Sequence, residues 1–225
     1  MRVTPEELFG PLDEVEKKHA PRELYVAGDQ SLVTRGARVS IVGSRNASAS
    51  GMRRAQKLAA LLSEKGVVVV SGLAEGIDAA AHTTAIECRG RTIAVLGTPL
   101  DECFPAKHRA LQERIIKEHL AVSQFAPGKM LGTRAFPMRN RTMALLSDAT
   151  VIVEAGEQSG TIHQGWEALR LGRPLYIMES LALEGHEWTS EMRRYGALVL
   201  SDKTKDLFLE SIPGESRAER IAASF

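Results

Sequence analysis

The stretch Val67-Val-Val-Val-Ser-Gly-Leu-Ala-Glu-Gly76 joins an unbroken apolar run to a loop that contains two glycines. An apolar run without alternation is typical of a strand that is buried on both faces of a sheet. Glycine in the following loop lets the backbone turn sharply or approach a ligand closely. The stretch therefore predicts a central strand of an α/β sheet, with a loop at the carboxyl end of the strand.

Three more stretches of the chain have the same arrangement. They are Val39-Ser-Ile-Val-Gly-Ser-Arg45, Ile93-Ala-Val-Leu-Gly-Thr98 and Val151-Ile-Val-Glu-Ala-Gly156. Each is followed by a segment that can be helical, and β-α-β crossovers are nearly always right-handed. The pattern predicts an α/β fold with a doubly wound, mostly parallel sheet of the extended Rossmann-like type. The glycine loops then lie along one edge of the sheet, where open α/β sheets bind ligands.

The length of 225 residues suits one domain of this kind. We predict an N-terminal helical extension over residues 1–21, a Rossmann-like core over 22–212 and a frayed tail over 213–225. Within the core, a glycine- and proline-rich stretch predicts a long loop over 126–137, and the next segment predicts a helix over 138–147. Long loops inside compact domains are uncommon and are often functional.

Several classes of protein are disfavoured by the composition. No apolar stretch approaches the roughly 18 residues of a membrane helix, and the N-terminus lacks an apolar signal region. Cys88 and Cys103 form no pair motif, which favours two buried thiols in a reducing cytoplasm. The histidines do not cluster with cysteines or acids at metal-ligand spacing. We therefore expect a cytoplasmic protein without a membrane segment, a metal or another cofactor.

Basic residues are concentrated in two stretches that contain no Asp or Glu, residues 30–63 and 119–147. Their arginines and lysines are Arg35, Arg38, Arg45, Arg53, Arg54, Lys57, Lys129, Arg134, Arg139 and Arg141. Because the net charge of the chain is only +1, these stretches predict one positive face. The alternative, which we favour for Arg53, Arg54 and Lys57, is that the side chains coat a helix surface.

The loops lack the usual nucleotide-binding motifs. Gly43-Ser44-Arg45 is not a G-x-G-x-x-G fingerprint, and Ser71 stands where a dinucleotide-binding protein would place an acid. There is also no P-loop lysine motif. The first loop keeps a glycine, a hydroxyl and a guanidinium, and Arg is suited to bidentate contact with phosphate.

Two further loops precede helices, whose N-termini favour anions. Gly72 and Gly76 lie in the first of them, and Ser159-Gly160-Thr161 forms the second. Asp78 either anchors the first loop through backbone N–H groups or acts on a ligand. With His82 one turn later it could form an acid–base pair, although no nucleophile is near in sequence.

The segment Phe136-Pro-Met-Arg-Asn-Arg141 places two arginines around an amide, with Phe125 and Phe136 nearby. Arginines that meet phosphates, beside aromatic rings on which bases stack, are typical of proteins that bind single-stranded nucleic acid. Burial of both phenylalanines in the core is an equally good interpretation of the sequence.

These motifs, in their order and spacing, resemble the DprA/Smf DNA-processing family. The resemblance covers roughly residues 22–200 and also includes Leu96-Gly-Thr-Pro-Leu-Asp101, Ser123-Gln-Phe-Ala-Pro-Gly128 and Val153-Glu-Ala155. It implies an extended Rossmann domain that binds single-stranded DNA without catalysis, helps to load the RecA recombinase in natural transformation or recombination, and forms a homodimer. The residues of the DNA pocket that it implies are Gly43, Ser44, Arg45, Ser71, Gly72, Gly76, Asp78, Arg139, Asn140 and Arg141. To these nucleic-acid and phosphate-binding residues, the motifs described above add Phe125, Ser159, Gly160 and Thr161.

Many members of the family also carry an N-terminal sterile-alpha-motif domain and a C-terminal winged helix. The short segments outside the region of resemblance predict a core-only member. The run Thr161-Ile-His-Gln-Gly165 also departs from the Ser-Leu-Ile-Thr-like run that the family usually shows.

A second hypothesis is a nucleotide sensor or a nucleoside-monophosphate phosphoribohydrolase of the LOG type, which also has a Gly-Thr loop at a helix start. Those enzymes usually place a catalytic Glu three residues after the Thr. Gln164 occupies that position, which argues against hydrolysis unless Glu154 or Glu157 substitutes.

Overall fold

The structure is a computed structural model that describes residues 1–128, 132 and 135–213. Lys129 and Arg134, from the second basic stretch, lie outside the described residues, as does the predicted tail apart from Pro213. The strands are β1 (Arg2–Val3), β2 (Leu24–Gly28), β3 (Arg38–Gly43), β4 (Val68–Ser71), β5 (Thr92–Leu96), β6 (Leu120–Ser123), β7 (Ala149–Glu154), β8 (Leu175–Met178) and β9 (Leu198–Leu200).

The helices alternate with the strands through most of the chain, as the sequence predicts. They are α1 (Pro5–Phe9), α2 (Glu14–His19), α3 (Ala49–Glu64), α4 (Ile77–Glu87), α5 (Arg109–Glu118), α6 (Ala135–Leu146), α7 (Gly160–Arg170), α8 (Glu179–Ala182), α9 (Glu187–Arg194) and α10 (Lys205–Ser211). Short 3₁₀ helices cover Gln30–Val33 and Ala106–His108. None of the helices in the described part of the chain is long and apolar enough to cross a bilayer.

The strands form a single sheet in the order β1-β2-β6-β5-β4-β3-β7-β8-β9. All neighbouring pairs from β6 to β9 are parallel, whereas β2 is antiparallel to β1 and β6. The chain adds strands on one side of β3 up to β6 and then crosses to the other side with β7. The predicted doubly wound, mostly parallel sheet is therefore confirmed, and its direction of winding reverses between β3 and β7.

Helices cover both faces of the sheet because alternate strand residues point to opposite sides. In β4, Val68 and Val70 belong to the core cluster that includes α1, α6 and α7. Val69 belongs to the opposite cluster, formed with α3, α4 and α10. Both faces are therefore buried, which explains why the strands are apolar runs without alternation.

The N-terminal segment packs on the same sheet. β1 pairs with β2, and Leu8 and Phe9 of α1 belong to the first core cluster. Gly10, with φ of 80°, separates α1 from α2. Glu16 of α2 is buried and forms an ion pair with Arg173, beyond α7.

Three details differ from the sequence-based expectations. α6 begins at Ala135, earlier than predicted, because Pro137 falls within its first turn, where a missing N–H has no intrahelical partner. Cys88 is exposed at the end of α4 rather than buried. The two-residue strand β1 and the one-turn helix α8 are too short to give a periodic signal in the sequence.

Candidate nucleic-acid interface

An open cavity of about 520 Å³ lies where the winding of the sheet reverses, beyond the carboxyl ends of β3 and β7. The loop after β3, the start of α6 and the loop leading into α7 form its walls. This is the place where open α/β sheets bind ligands. The predicted site residues that line the cavity are Gly43, Ser44, Arg45, Asp78, Arg139, Asn140, Ser159, Gly160 and Thr161.

The loop after β3 is held tightly between two neighbours. A Cβ atom on Gly43 would stand 2.6 Å from Ile77 Cγ1 and 2.9 Å from the Glu154 carbonyl oxygen. The Ser44 N–H donates to that carbonyl oxygen at 2.7 Å, and the Ser44 carbonyl oxygen accepts from the Ile77 N–H at 3.3 Å. The chain therefore needs glycine at position 43, and the backbone of Ser44 is fixed at the cavity wall.

Ser71 and Gly76, from the second glycine loop, support the cavity wall without lining the cavity. Ser71 is fully buried and its hydroxyl donates to the Ile41 carbonyl oxygen at 2.7 Å, which ties β4 to β3. Gly76 has a φ of 74°, and a Cβ atom there would overlap the Ser44 carbonyl oxygen. Neither residue lines the cavity, so their contribution is to position the loop that contains Ser44.

Asp78 anchors the second glycine loop. Its Oδ2 atom accepts from the backbone N–H groups of Gly72 at 3.1 Å and Ala74 at 3.4 Å. These N–H groups are therefore not available to an anion. Burial raises the pKa of Asp78, whereas Arg139 and the backbone N–H groups favour the charged form.

The expectation that Arg139 forms part of a positive wall needs correction. Its side chain is only 5% exposed, and Nη1 donates to the carbonyl oxygens of Gly72 at 2.6 Å and Val95 at 2.8 Å. Its Nε atom donates to Asn140 Oδ1 at 3.1 Å. Arg139 therefore joins the ends of β4 and β5 to α6 and balances the charge of Asp78. Arg139 still lines the cavity, but three of its N–H groups are bonded to the protein.

Arg141 also differs from its predicted role. Its guanidinium forms an ion pair with Glu167 of α7 at 3.0 Å, and Arg141 is not among the cavity-lining residues. Other basic residues of the acid-free stretches are paired as well, Arg38 with Asp148 and Arg54 with Glu154. The positive face is therefore smaller than the sequence predicts, because acidic residues distant in sequence form ion pairs with several of its arginines.

Arg45 is an exposed cation at the cavity. No carboxylate pairs with it among the residues that the structure describes. Its Cζ atom lies 5.3 Å from the centroid of the Phe136 ring, and Phe136 lies 5.6 Å from the ring of Phe104. Gly97 leaves room for Phe136, since a Cβ atom there would stand 2.6 Å from its Cδ1 atom.

The two phenylalanines that the sequence could not separate have different environments. Phe125 is 4% exposed, so its ring belongs to the interior, and the expectation that it contacts nucleic acid is corrected. Phe136 is partly exposed and lines the cavity, and its partner Phe104 is 55% exposed. The aromatic surface therefore consists of Phe104 and Phe136.

The N-terminus of α7 forms another wall of the cavity. The Ser159 hydroxyl caps the helix by accepting from the Thr161 N–H at 3.2 Å. Asn140 connects this wall to α6, because its Nδ2 atom donates to the Gly160 carbonyl oxygen at 3.2 Å. A Cβ atom on Gly160 would meet nothing within 4 Å, so the approach to this helix end is open. The helix dipole favours an anion at this end, where the Thr161 and Ile162 N–H groups already bond to Ser159.

The carboxylates that could support hydrolysis have other partners. Glu154 accepts from the Ser48 N–H at 2.7 Å and the Ser48 hydroxyl at 2.6 Å, which fixes the start of α3. Glu157 contacts His186 Nδ1 at 2.6 Å. Neither lines the cavity.

Asp78 and His82 do not form the suggested acid–base pair. The Nδ1 atom of His82 lies 2.7 Å from the Thr92 hydroxyl, and the side chain is fully buried outside the cavity. Burial lowers the pKa of His82 to about 3, so the imidazole is neutral near pH 7. His82 is therefore part of the packing between α4 and β5.

Several residues that line the cavity were not among the assigned binding residues, and Gln164 is one of them. Gln164 lies three positions after Thr161, and residues three or four apart share one face of a helix. That spacing could have placed it beside the predicted helix start.

Comparison with known proteins places the chain in a family. Residues 5–210 match the family model described as DNA recombination-mediator protein A. The DNA processing protein DprA of Bacillus subtilis is 35% identical over 158 residues, which are 70% of this chain and 53% of that protein. The DNA processing protein DprA of Streptococcus pneumoniae is 37% identical over 175 residues, 78% of this chain and 61% of that protein.

A solved structure of DNA processing protein A from Helicobacter pylori, described for its single-stranded DNA binding mode, superposes with a TM-score of 0.78. It is 26% identical, and the match covers 95% of this chain and 98% of that one. By contrast, the chain spans only about half to three-fifths of the length of the Bacillus and Streptococcus relatives. The shared motifs, the fold and the family match establish that the chain belongs to the DprA/Smf family of DNA-processing proteins.

Proposed function

We propose that this chain binds single-stranded DNA in the cavity between β3 and β7 and acts without catalysis. The observation that carries the proposal is the position of Arg45. An exposed guanidinium with no carboxylate partner in the described part of the chain lies against Phe136, which in turn contacts Phe104. A cation beside aromatic rings suits a chain of phosphates with accessible bases.

Two groups of residues, in and beside the cavity, would each contribute to binding. Arg45 and the N-terminus of α7, with Ser159 and Gly160, provide positive potential for backbone phosphates. Phe136 and Phe104 offer ring faces on which bases stack. Bases in a duplex are already stacked on each other, so this arrangement favours a single strand. The related Helicobacter protein has a single-stranded DNA binding mode, which supports the same ligand here.

A hydrolase of the LOG type is less well supported. Gln164 replaces the expected carboxylate, and Glu154 and Glu157 are engaged elsewhere. Incubation with AMP and detection of free adenine checks this directly, and we expect no release.

Fluorescence anisotropy with a labelled single strand and the matching duplex tests the proposal. We expect the single strand to bind more tightly at low salt, and unlabelled single strand to compete better than the duplex. Equal affinity for the two forms would overturn the proposal.

The proposal extends to location and partners. We infer that the protein works in the cytoplasm, where DNA is processed. The family's description as a recombination mediator supports a recombinase such as RecA as a partner, and the proposal also includes a second copy of the chain. RecA ATPase activity on single-stranded DNA, measured with and without this protein, tests the first partner. Analytical ultracentrifugation over a range of concentrations tests the second.

A further inference from the structure

Glu154, the last residue of β7, holds both ends of the Arg45 loop, which covers residues 44–48 between β3 and α3. At the start of the loop, the Ser44 N–H donates to the Glu154 carbonyl oxygen at 2.7 Å. At its end, the Ser48 N–H donates to Glu154 Oε1 at 2.7 Å, and the Ser48 hydroxyl donates to Oε2 at 2.6 Å. One residue of β7 therefore closes the loop through its main chain and its side chain.

The pairing of β3 with β7 becomes irregular where this contact forms. Val42 faces Ile152, but the next residue of β3, Gly43, faces Glu154, so Val153 is an extra residue in β7. An extra residue of this kind bends a strand and re-aims a neighbouring side chain. The Glu154 carboxylate accordingly contacts the start of α3, on the face of the sheet where Val153 packs.

The first turn of α3 is built to receive this carboxylate. A Cβ atom on Gly51 would overlap Glu154 Oε2, so the close approach requires glycine at this position. Arg54, nearly one turn further along α3, donates to the same oxygen at 3.3 Å. Hydrogen bonds to an ionised carboxylate are stronger than those between neutral groups. The Glu154 side chain therefore has a single, well-supported position.

The Arg45 side chain depends on the loop for its own position. It has no ion-pair partner in the described part of the chain. Its Cζ atom lies 5.3 Å from the centroid of the Phe136 ring, and a cation–π contact at an exposed site is weak. The backbone of the loop, which Glu154 holds, therefore determines where the guanidinium lies.

We propose that Glu154 is a positioning residue for single-stranded DNA, which fixes the Arg45 loop so that Arg45 lies beside Phe136 before the strand binds. Glu154 does not line the cavity, so it acts through Arg45 rather than on the ligand. A side chain that is placed in advance loses less conformational freedom on binding. This inference rests on the proposed function and adds to it a residue that never touches the DNA.

The direction of the effect separates positioning from simple electrostatics. Glu154 carries a negative charge near a proposed site for phosphates. If only its charge mattered, removing it would tighten the binding of DNA. If Glu154 positions Arg45, removing it weakens binding instead.

The experiment removes the contact in two ways. Glu154→Gln loses the charge, whereas Gly51→Ala keeps every charge and displaces the carboxylate. Glu118→Gln is the matched control, because Glu118 pairs with Arg114 on α5, before the amino end of β6. Each protein is titrated by anisotropy with a labelled single strand at low salt, and Glu154→Gln is also combined with Arg45→Ala. Thermal unfolding shows that each variant is folded at the assay temperature.

We expect Glu154→Gln and Gly51→Ala each to weaken binding by about fivefold, and Glu118→Gln to match wild type. In the Arg45→Ala background, Glu154→Gln should change the affinity little, because the side chain that it positions is gone. A role in folding alone would lower the melting temperature without this dependence on Arg45.

Two results would overturn the inference while leaving the proposed function intact. One is binding by Glu154→Gln that is as tight as that of wild type, or tighter; Gly51→Ala decides the matter if Glu154→Gln is unfolded. The other is an equal loss of affinity with and without Arg45. Failure of the wild-type protein to bind any single strand at low salt would instead overturn the proposed function, and the role of Glu154 with it.

Discussion

Gly72 and Arg139 are in such close contact that a Cβ atom on Gly72 would overlap the guanidinium, whose Nη1 atom donates to the Gly72 carbonyl oxygen at 2.6 Å. Arg139 also donates to Val95 of β5. The loop after β4 therefore needs glycine at position 72, because the buried Arg139 side chain occupies the space that a Cβ atom would take. Arg139 in turn connects the ends of β4 and β5 to α6.

Gly72→Ala should destabilise the fold, by about 1–3 kcal/mol, because the added methyl group displaces a buried side chain from its hydrogen bonds. Gly160→Ala is the matched control, since a Cβ atom there meets nothing within 4 Å. Urea denaturation of both variants gives the comparison. Equal free energies of unfolding for the two variants would show that Arg139 adjusts without cost.

Arg139→Met should cost more, about 3–5 kcal/mol, because it leaves the buried Asp78 without its balancing charge. Combining it with Asp78→Asn should recover part of the loss. The free energy of unfolding in urea is the measurement, and Arg53→Met on exposed α3 is the control. A change as small as that of the control would contradict a structural role for Arg139.

Phe136→Leu should weaken binding of single-stranded DNA by about 1–3 kcal/mol, since it removes a ring on which a base can stack. Phe125→Leu makes the same change at a buried ring and should lower stability without changing affinity. Anisotropy and thermal unfolding of both variants separate these effects. Similar losses of affinity in the two variants would count against stacking at Phe136.

His186 should make stability depend on pH. Contact with Glu157 at 2.6 Å, helped by Glu184 at 3.0 Å, raises the pKa of His186 above its usual 6.5. A raised pKa in the folded state stabilises the protein fully below about pH 6.5, and this contribution is lost as the pH rises through the folded-state value.

His186→Gln should therefore lower the melting temperature most at about pH 6, with a smaller difference at about pH 9. Glu157→Gln should show the same trend, because it removes the main partner of the imidazole. A difference from wild type that is constant across this range would contradict the assignment.

Much of the fold could be predicted from the sequence because local signals agree with it. Val67–Val70 and its glycine loop indicate a buried parallel strand, and β4 lies there in the structure. The side chains of the site were harder to predict because their partners are distant in sequence. Arg139 meets a carbonyl 67 residues away, and Arg38 meets Asp148 across 110 residues.

Composition alone cannot show which cations remain free. The acid-free stretches suggest one positive face, yet Arg141 and Arg54 each have an acidic partner from another part of the chain. Arg45 lies in a loop at the edge of the sheet and has no ion-pair partner in the described part of the chain. The same tertiary packing distinguishes Phe125, which is buried, from Phe136, which lines the cavity.

The salt dependence of single-stranded DNA binding by wild type, Arg45→Ala and Arg53→Ala tests the central claim most directly. If Arg45 contacts a phosphate, its removal should weaken binding and reduce the slope of log K against log salt concentration by about 0.7. Arg53→Ala removes the same charge outside the cavity and should keep the wild-type slope. Equal slopes and affinities for the two variants would contradict binding of DNA at this cavity.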